Sequence, residues 1–373
     1  MAVYFLVYLC GFIFSFCYSF AKNKYVVCMY KILTFLTLAL PACLRYKIGT
    51  DYENYTGAIV NGFSQGKYDI FEAGWIPVLW FIDKFGFDLQ FFFIFVSLCT
   101  YFIVFKYIER PYFYLCVPVY ICTAYLDSYS LVRQSFACTI FLLCIMSFQD
   151  RKYFRAILWG AVSFLFHKST IILCLLLPLS SMQWKIFSPY KNAVLFLLIY
   201  FLFDFFNFAQ IVMEKIVGNT FYAVYVNSGF NRQTEIGTGL GLLLRICIMF
   251  IFIFVSSRQL NVKNDFCGKD KKTSLLLLQE KNYKLICICM FSFLAFALMA
   301  KRIHIFNRLM NLMSLFYLLS VQTMAKSKNR YRKFALLFVI IALSVLFFKD
   351  LQSNPSSAAG GLGLTPYQSI FSR

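Results

Sequence analysis

The sequence predicts an all-α, polytopic integral membrane bundle, and two observations carry that expectation. Of its 373 residues, 61% are hydrophobic and only 14% charged, more apolar surface than a soluble fold of this size has interior to hide. The mean hydropathy is correspondingly high, +0.70. Second, the apolar residues are gathered into runs near 2–20, 25–44, 88–107, 112–126, 131–148, 193–209, 239–256, 284–300, 305–322 and 334–349. Runs of this length match the thickness of a bilayer core. The 47 Phe and 25 Tyr, many near the ends of these runs, fit interfacial aromatic belts.

Taken in order, 1–20 has no basic segment ahead of its apolar stretch and is expected to be a retained first span rather than a cleaved signal. The run 25–44 ends abruptly in "RYKIGTDYENY", 45–55, where charge, glycine and tyrosine crowd together. Residues 72–86 are amphipathic and carry Pro77, Asp83 and Gly86, so a re-entrant or interfacial helix is expected there instead of a full crossing. The stretch 153–182 is apolar but interrupted by His167, Lys168 and Ser169, which predicts two short tilted spans meeting at the break. The total is about 11–13 membrane segments, short or re-entrant helices included. No internal repeat and no Pro/Gly linker divides the chain, so residues 1–373 are expected to form a single transmembrane domain.

A formal net charge of +20 would suggest nucleic acid in a soluble protein. Here the basic residues concentrate in 21–31, 106–110, 151–155, 185–191, 258–284 and 326–333, which places these loops in the cytoplasm by the positive-inside rule. No nucleic-acid partner is expected. The external side then receives loops at about 45–87 and 210–238 and the tail 350–373. Reading 153–182 as one long span would put the basic loop 258–284 outside, which argues for the break. The 14 cysteines lie mostly within apolar runs without Cys-x-x-Cys spacing, and only His167 and His304 accompany them. Neither a metal site nor a cofactor is expected.

Several unusual residue sets fall on that external side. Arg133 and Gln134 follow "LDSYSLV" at the start of a span, where free helix N–H groups and an arginine favour an anion, with Ser130 as a candidate cap. His167, in "SFLFHKST", is an ionisable side chain in a deeply apolar setting. In "KRIHIFNRLMN", His304, Arg308 and Asn311 are spaced to share one helix face. Glu72 stands in "FEAGW". Arginine forks suit diphosphate, and a carboxylate or histidine suits removal of a hydroxyl proton. The absence of Asp-x-Asp, Walker and serine-nucleophile motifs argues against a metal-bound nucleotide sugar.

With "RYKIGTDYENY", "FEAGW", "LVRQSFA", "FHKST", "NRLMN" and the tail "GLTPYQSIF" in this order, the chain resembles the O-antigen polymerases of the Wzy type, in the branch shared with EpsG-like exopolysaccharide polymerases. The resemblance implies a GT-C-like membrane fold in the bacterial inner membrane with its active site facing the periplasm. It implies glycosyl transfer from an undecaprenyl-diphosphate-linked oligosaccharide to a sugar hydroxyl of the next lipid-linked repeat unit. It also suggests a chain-length regulator as a protein partner beside the lipid bilayer. On that reading His167, Asp51 and Glu72 are the catalytic candidates, with His167 favoured as base. Arg45, Arg133, Gln134, Arg308 and His304 would bind the diphosphate and substrate. Asp51 would orient Arg45 or bind sugar, and Tyr52 or Tyr55 would stack on a sugar ring. A flippase should show pseudo-symmetric halves, which are not seen. An O-antigen ligase would perform the same chemistry on another acceptor, but the motif order fits a polymerase better.

Overall fold

The computed structural model describes residues 1–181, 208–216, 240–257, 271–303, 306–353 and 362–372, with scattered positions in 191–202. Among the described residues the chain is an all-α bundle. Six helices are long and apolar enough to cross a membrane: Ala2–Phe20, Lys24–Leu44, Gln90–Tyr107, Val132–Gln149, Asn282–Ala300 and Arg332–Gln352. This is a multi-pass membrane protein. The contacts divide it into two compact units, Met1–Cys174 with Leu343–Arg373, and Leu175–Ala342. No linker in the sequence marks that division.

In the first unit, α1 (Ala2–Phe20) and α2 (Lys24–Leu44) follow the first two apolar runs. α1 buries Tyr4, Val7, Gly11, Ser15 and Tyr18, one helical stripe, while Phe5, Leu9, Phe12 and Phe16 face outward as a lipid-facing helix requires. After α2 come α3 (Tyr52–Ser64), a 3-10 turn at Ala73–Trp75 and α4 (Ile76–Lys84). α4 has nine residues, far short of a crossing, as Pro77 and Gly86 suggested. α5 (Gln90–Tyr107) is followed by α6 (Phe113–Tyr120), which runs through a π turn at Ile121–Tyr125 into α7 (Asp127–Ser130). The run 112–126 is therefore a continuous helix with a π turn inside it. α8 (Val132–Gln149) is the most buried of the long spanning helices of this unit, and it packs against α5 and α9 (Tyr153–Phe166). The Ser163 hydroxyl donates to the Ala137 carbonyl at 2.8 Å, tying α9 to α8. α9 stops at His167, and α10 (Ile171–Leu179) begins after a 3-10 turn, so the break expected within 153–182 is present.

The second unit contains α11 (Leu240–Ser257), α12 (Lys271–Arg302), α13 (Phe306–Leu312) and α14 (Phe316–Lys326). Tyr317 of α14 packs edge-on against Phe252 at 5.8 Å and Phe293 at 6.0 Å. The apolar run 305–322, read as one span, is divided at Met313–Leu315 into α13 and α14. Much of the expected loop 210–238 lies outside the described residues, as does 258–270 of the basic loop. α15 (Arg332–Ser353) returns to the first unit from Leu343, where the Tyr8 hydroxyl meets Ser344 Oγ at 2.5 Å.

Candidate functional site

The site is built on an aromatic core. Tyr55 and Ile59 of α3, Trp75, Phe92 of α5, and Val132, Phe136 and Ile140 of α8 form one buried cluster, with Phe71 and Phe166 packed against it. Trp75 is its wedge: fully buried, it lies 4.9 Å from Phe166, 5.3 Å from Phe136 and 5.2 Å from Phe92. Its indole Nε1–H donates to the Phe166 carbonyl at 2.9 Å, a carbonyl left open where α9 ends. Beside it, a Cβ on Gly74 would lie 2.9 Å from the Leu165 carbonyl oxygen, so only glycine permits this approach. The motif "FEAGW" is thus a device that presses residue 72 against the end of α9.

Glu72 there meets both other motifs. Its Oε2 accepts from Arg133 Nη1 at 2.6 Å, and its Oε1 accepts from His167 Nδ1 at 2.8 Å. All three side chains keep some access to the outside, with 12%, 25% and 18% of Glu72, Arg133 and His167 exposed. Burial pushes the Glu72 carboxyl upward, but the His167 hydrogen bond and the Arg133 charge outweigh it and hold the group below the usual carboxylate range. An ionised Glu72 can only accept, so Nδ1 carries a proton, and whenever the ring is neutral its lone pair falls on Nε2.

Arg133 rests on an aromatic corner, 4.5 Å over Phe71 and 5.4 Å over Tyr55, rings that themselves meet at 89°. The Phe71 face supports the guanidinium without using its hydrogen-bond donors. Its Nε–H is buried and has no hydrogen-bond partner among the described residues. The side chain of Ser130 does not cap α8: its hydroxyl donates to the Leu362 carbonyl at 2.7 Å, and its oxygen accepts from Thr50 N at 3.3 Å. The loop ahead of α8 is used to hold other segments.

The remaining predicted residues are placed differently. Arg45 is 2% exposed, with its guanidinium between Phe93 at 4.8 Å and Tyr129 at 4.9 Å, and Nη1 donates to the Ser128 carbonyl at 3.4 Å. It shares none of these partners with Glu72. Tyr52 is buried and stacks on Phe93 at 4.6 Å, so this ring face is taken by the core. Tyr55 is buried beneath Arg133, and Gln134 is buried on α8. Asp51 precedes α3 without capping it through its side chain. Arg308 lies on α13 in the second unit, and His304 lies outside the described residues. Of the expected stripe, Arg308 and Asn311 share α13.

The motif "GLTPYQSIF" closes over the "RYKIGT" loop. Gly49 N donates to the Gly363 carbonyl and Tyr46 N to the Gln368 carbonyl, both at 3.0 Å, and Arg45 bridges Ser369. The Tyr4 hydroxyl adds a bond to the Leu364 carbonyl at 2.9 Å. Phe71, Gly74 and Trp75 are functional neighbours that the sequence reading passed over. Their adjacency to Glu72 was the available signal.

Sequence motifs far apart in the chain thus meet in one carboxylate-centred triad within an apolar helical unit. Neither a curated protein nor a solved structure matches the chain. The model of the EpsG family matches residues 28–369, a range that holds the whole triad and nearly the whole tail contact. The chain therefore belongs to the EpsG family and is a multi-pass, polysaccharide-polymerase-like membrane protein.

Proposed function

We propose that this protein is a surface-polysaccharide repeat-unit polymerase of the Wzy kind, acting on undecaprenyl-diphosphate-linked glycan at the periplasmic face of the inner membrane. The observation that carries the reading is the Glu72 carboxylate shared between Arg133 and His167. His167 Nε2 takes the proton of the acceptor sugar hydroxyl, and that oxygen bonds to the anomeric carbon of the growing glycan. The bond from that carbon to the diphosphate oxygen breaks, and the lipid diphosphate departs with the electron pair. Glu72 holds the imidazole and stabilises its protonated form, the role of the carboxylate in a hydrolase triad. Arg133, with 25% of its side chain exposed, offers guanidinium donors to the departing diphosphate. The expected set of three clamp arginines loses Arg45 in this proposal, because Arg45 is enclosed by rings, and keeps Arg133 and Arg308. The mechanism needs no metal ion.

The test is reconstitution with purified lipid-linked repeat units in the presence of EDTA. Wild type should lengthen the glycan, and Arg133→Lys should lose roughly 10²–10³-fold in kcat, because an ammonium keeps the charge but not the planar fork. An EDTA-sensitive wild type, or a fully active Arg133→Lys, would sink the mechanism. In cells, loss of a polymerase leaves single repeat units on the lipid core, loss of a ligase leaves none, and loss of a flippase stops export. Topology is tested separately. Reporter fusions at Asn54 should score as periplasmic and at Asn329 as cytoplasmic, and the reverse result would move the triad to the wrong side for this substrate.

A further inference from the structure

A second feature of the first unit lies beside the aromatic core, at Tyr52 and the flank of α3 that carries Glu53, Thr56 and Gly57. It is a cavity of about 530 Å³ lined by Tyr46, Lys47, Tyr52, Glu53, Thr56, Gly57, Asp88, Leu89 and Gln90. That volume falls in the roughly 300–1,000 Å³ range of small-molecule sites. Its floor is one helical stripe, Glu53, Thr56 and Gly57, at i, i+3 and i+4. Its back wall is held rigidly. Gln90 is buried, its Nε2 donates to the Cys43 carbonyl at 2.6 Å and the Arg45 carbonyl at 3.1 Å, and its backbone N–H donates to Asp88 Oδ1 at 2.7 Å.

Gly57 is the informative residue. It sits in the interior of a thirteen-residue helix, where glycine is the least favoured residue after proline. No backbone requirement explains it, since its φ is not in the left-handed range, and no packing requirement does either. A Cβ built there meets nothing within 4 Å. The other glycines with a structural reason behave otherwise: Gly49 and Gly74 would each collide with a backbone carbonyl. A helix-weakening glycine with open space over it, on the floor of a cavity, is accounted for by something outside the chain that approaches closely.

The lining says what that partner is. Carboxylates at Glu53 and Asp88, the Thr56 hydroxyl and tyrosine rings match the hydroxyls and apolar ring faces of sugars. The cavity has no guanidinium, and its one cation, Lys47, is already 3.8 Å from Glu53. This lining disfavours a diphosphate. Tyr55, between Glu53 and Gly57 on the same helix, supports Arg133, so one turn of α3 joins the cavity to the triad.

We propose that this cavity is a glycan subsite, holding sugar residues of the repeat unit over Gly57 while their lipid diphosphate engages Arg133. This rests on the polymerase reading above, and it assigns the sugar-binding role to Glu53, Thr56, Gly57 and Asp88 instead of the buried ring of Tyr55.

The experiment uses the full chain in detergent and two variants, Gly57→Ala and Gly57→Trp. The probe for binding is the repeat-unit oligosaccharide released from its lipid carrier, followed by saturation-transfer NMR. Gly57→Ala should fold at least as stably as wild type, since it improves helix propensity. Gly57→Trp should abolish the saturation signal and raise KM for the lipid-linked unit about tenfold or more, with kcat within about twofold, the pattern of lost uniform binding. Equal oligosaccharide signals from wild type and Gly57→Trp, or no signal from wild type, would overturn the subsite. Polymerisation by wild type that Gly57→Trp leaves unchanged in KM would overturn it as well. A Gly57-dependent signal in a protein that fails to polymerise would instead retain the subsite and remove the polymerase reading.

Discussion

His167→Gln should lower turnover on lipid-linked repeat units by about 10²–10⁴-fold, the usual contribution of a positioned general base. Glutamine can still donate a hydrogen bond to Glu72 from the region of Nδ1, so the 2.8 Å contact has a substitute and the protein should reach the membrane at normal levels. What is lost is the lone pair at Nε2. The variant Glu72→Gln separates base from support. It removes the charged acceptor shared by Arg133 and His167, and it should impair kcat and destabilise the fold more at neutral pH than near the acid limit. The sign follows from the carboxyl, whose value in the folded protein lies below the ordinary 4.5. Its contribution to stability is therefore fully present above that ordinary value and is lost as pH falls through the lower folded value. Wild type should show this acid-side loss in thermal midpoints, and Glu72→Gln should not. If His167→Gln turns over normally while Asp51→Asn is dead, the base is Asp51 and the triad is a structural ion pair.

Gly49→Ala should prevent accumulation of folded protein. Gly49 has φ +99°, a conformation that costs a residue with a side chain about 1–3 kcal/mol. Its missing Cβ would also lie 2.0 Å from the Tyr129 carbonyl oxygen, so that carbonyl would have to move. Overpacking of this kind adds about 1–3 kcal/mol. The displaced segment is no ordinary turn, because Tyr129 supports Arg45 and Ser130 holds both Thr50 and Leu362. One methyl group thus strains three segments at once. Detergent-extracted Gly49→Ala should elute as aggregate on size exclusion, whereas Gly57→Ala in the next helix should elute as wild type does. A monodisperse Gly49→Ala with a normal thermal midpoint would contradict the close approach at Tyr129.

The spans were legible in the sequence because a lipid-facing helix is a local property. A run such as 2–20 or 131–148 must satisfy its own backbone and present an apolar surface whatever its neighbours do. The break at His167 was legible for the same reason, since His-Lys-Ser interrupts that surface. Where the chain packs on itself, hydropathy loses resolution. The run 305–322 reads as continuous, yet Met313, Ser314 and Leu315 turn within it, because apolar turns buried in protein look like apolar helix in sequence.

Glu72, Arg133 and His167 were each conspicuous, as charged or ionisable groups in apolar surroundings. Their union was not, since it depends on Trp75 reaching the end of α9 and on Tyr55 and Phe71 turning Arg133 toward residue 72. The opening charges of "RYKIGTDYENY" show the same limit. In sequence Arg45 and Lys47 are alike, both basic residues beyond the end of a span. The tertiary structure buries Arg45 between Phe93 and Tyr129, residues 48 and 84 positions away, and leaves Lys47 exposed beside Glu53 at the cavity. Which of two cations is enclosed depends on what packs over it, and that is decided by long-range contacts that no local pattern encodes.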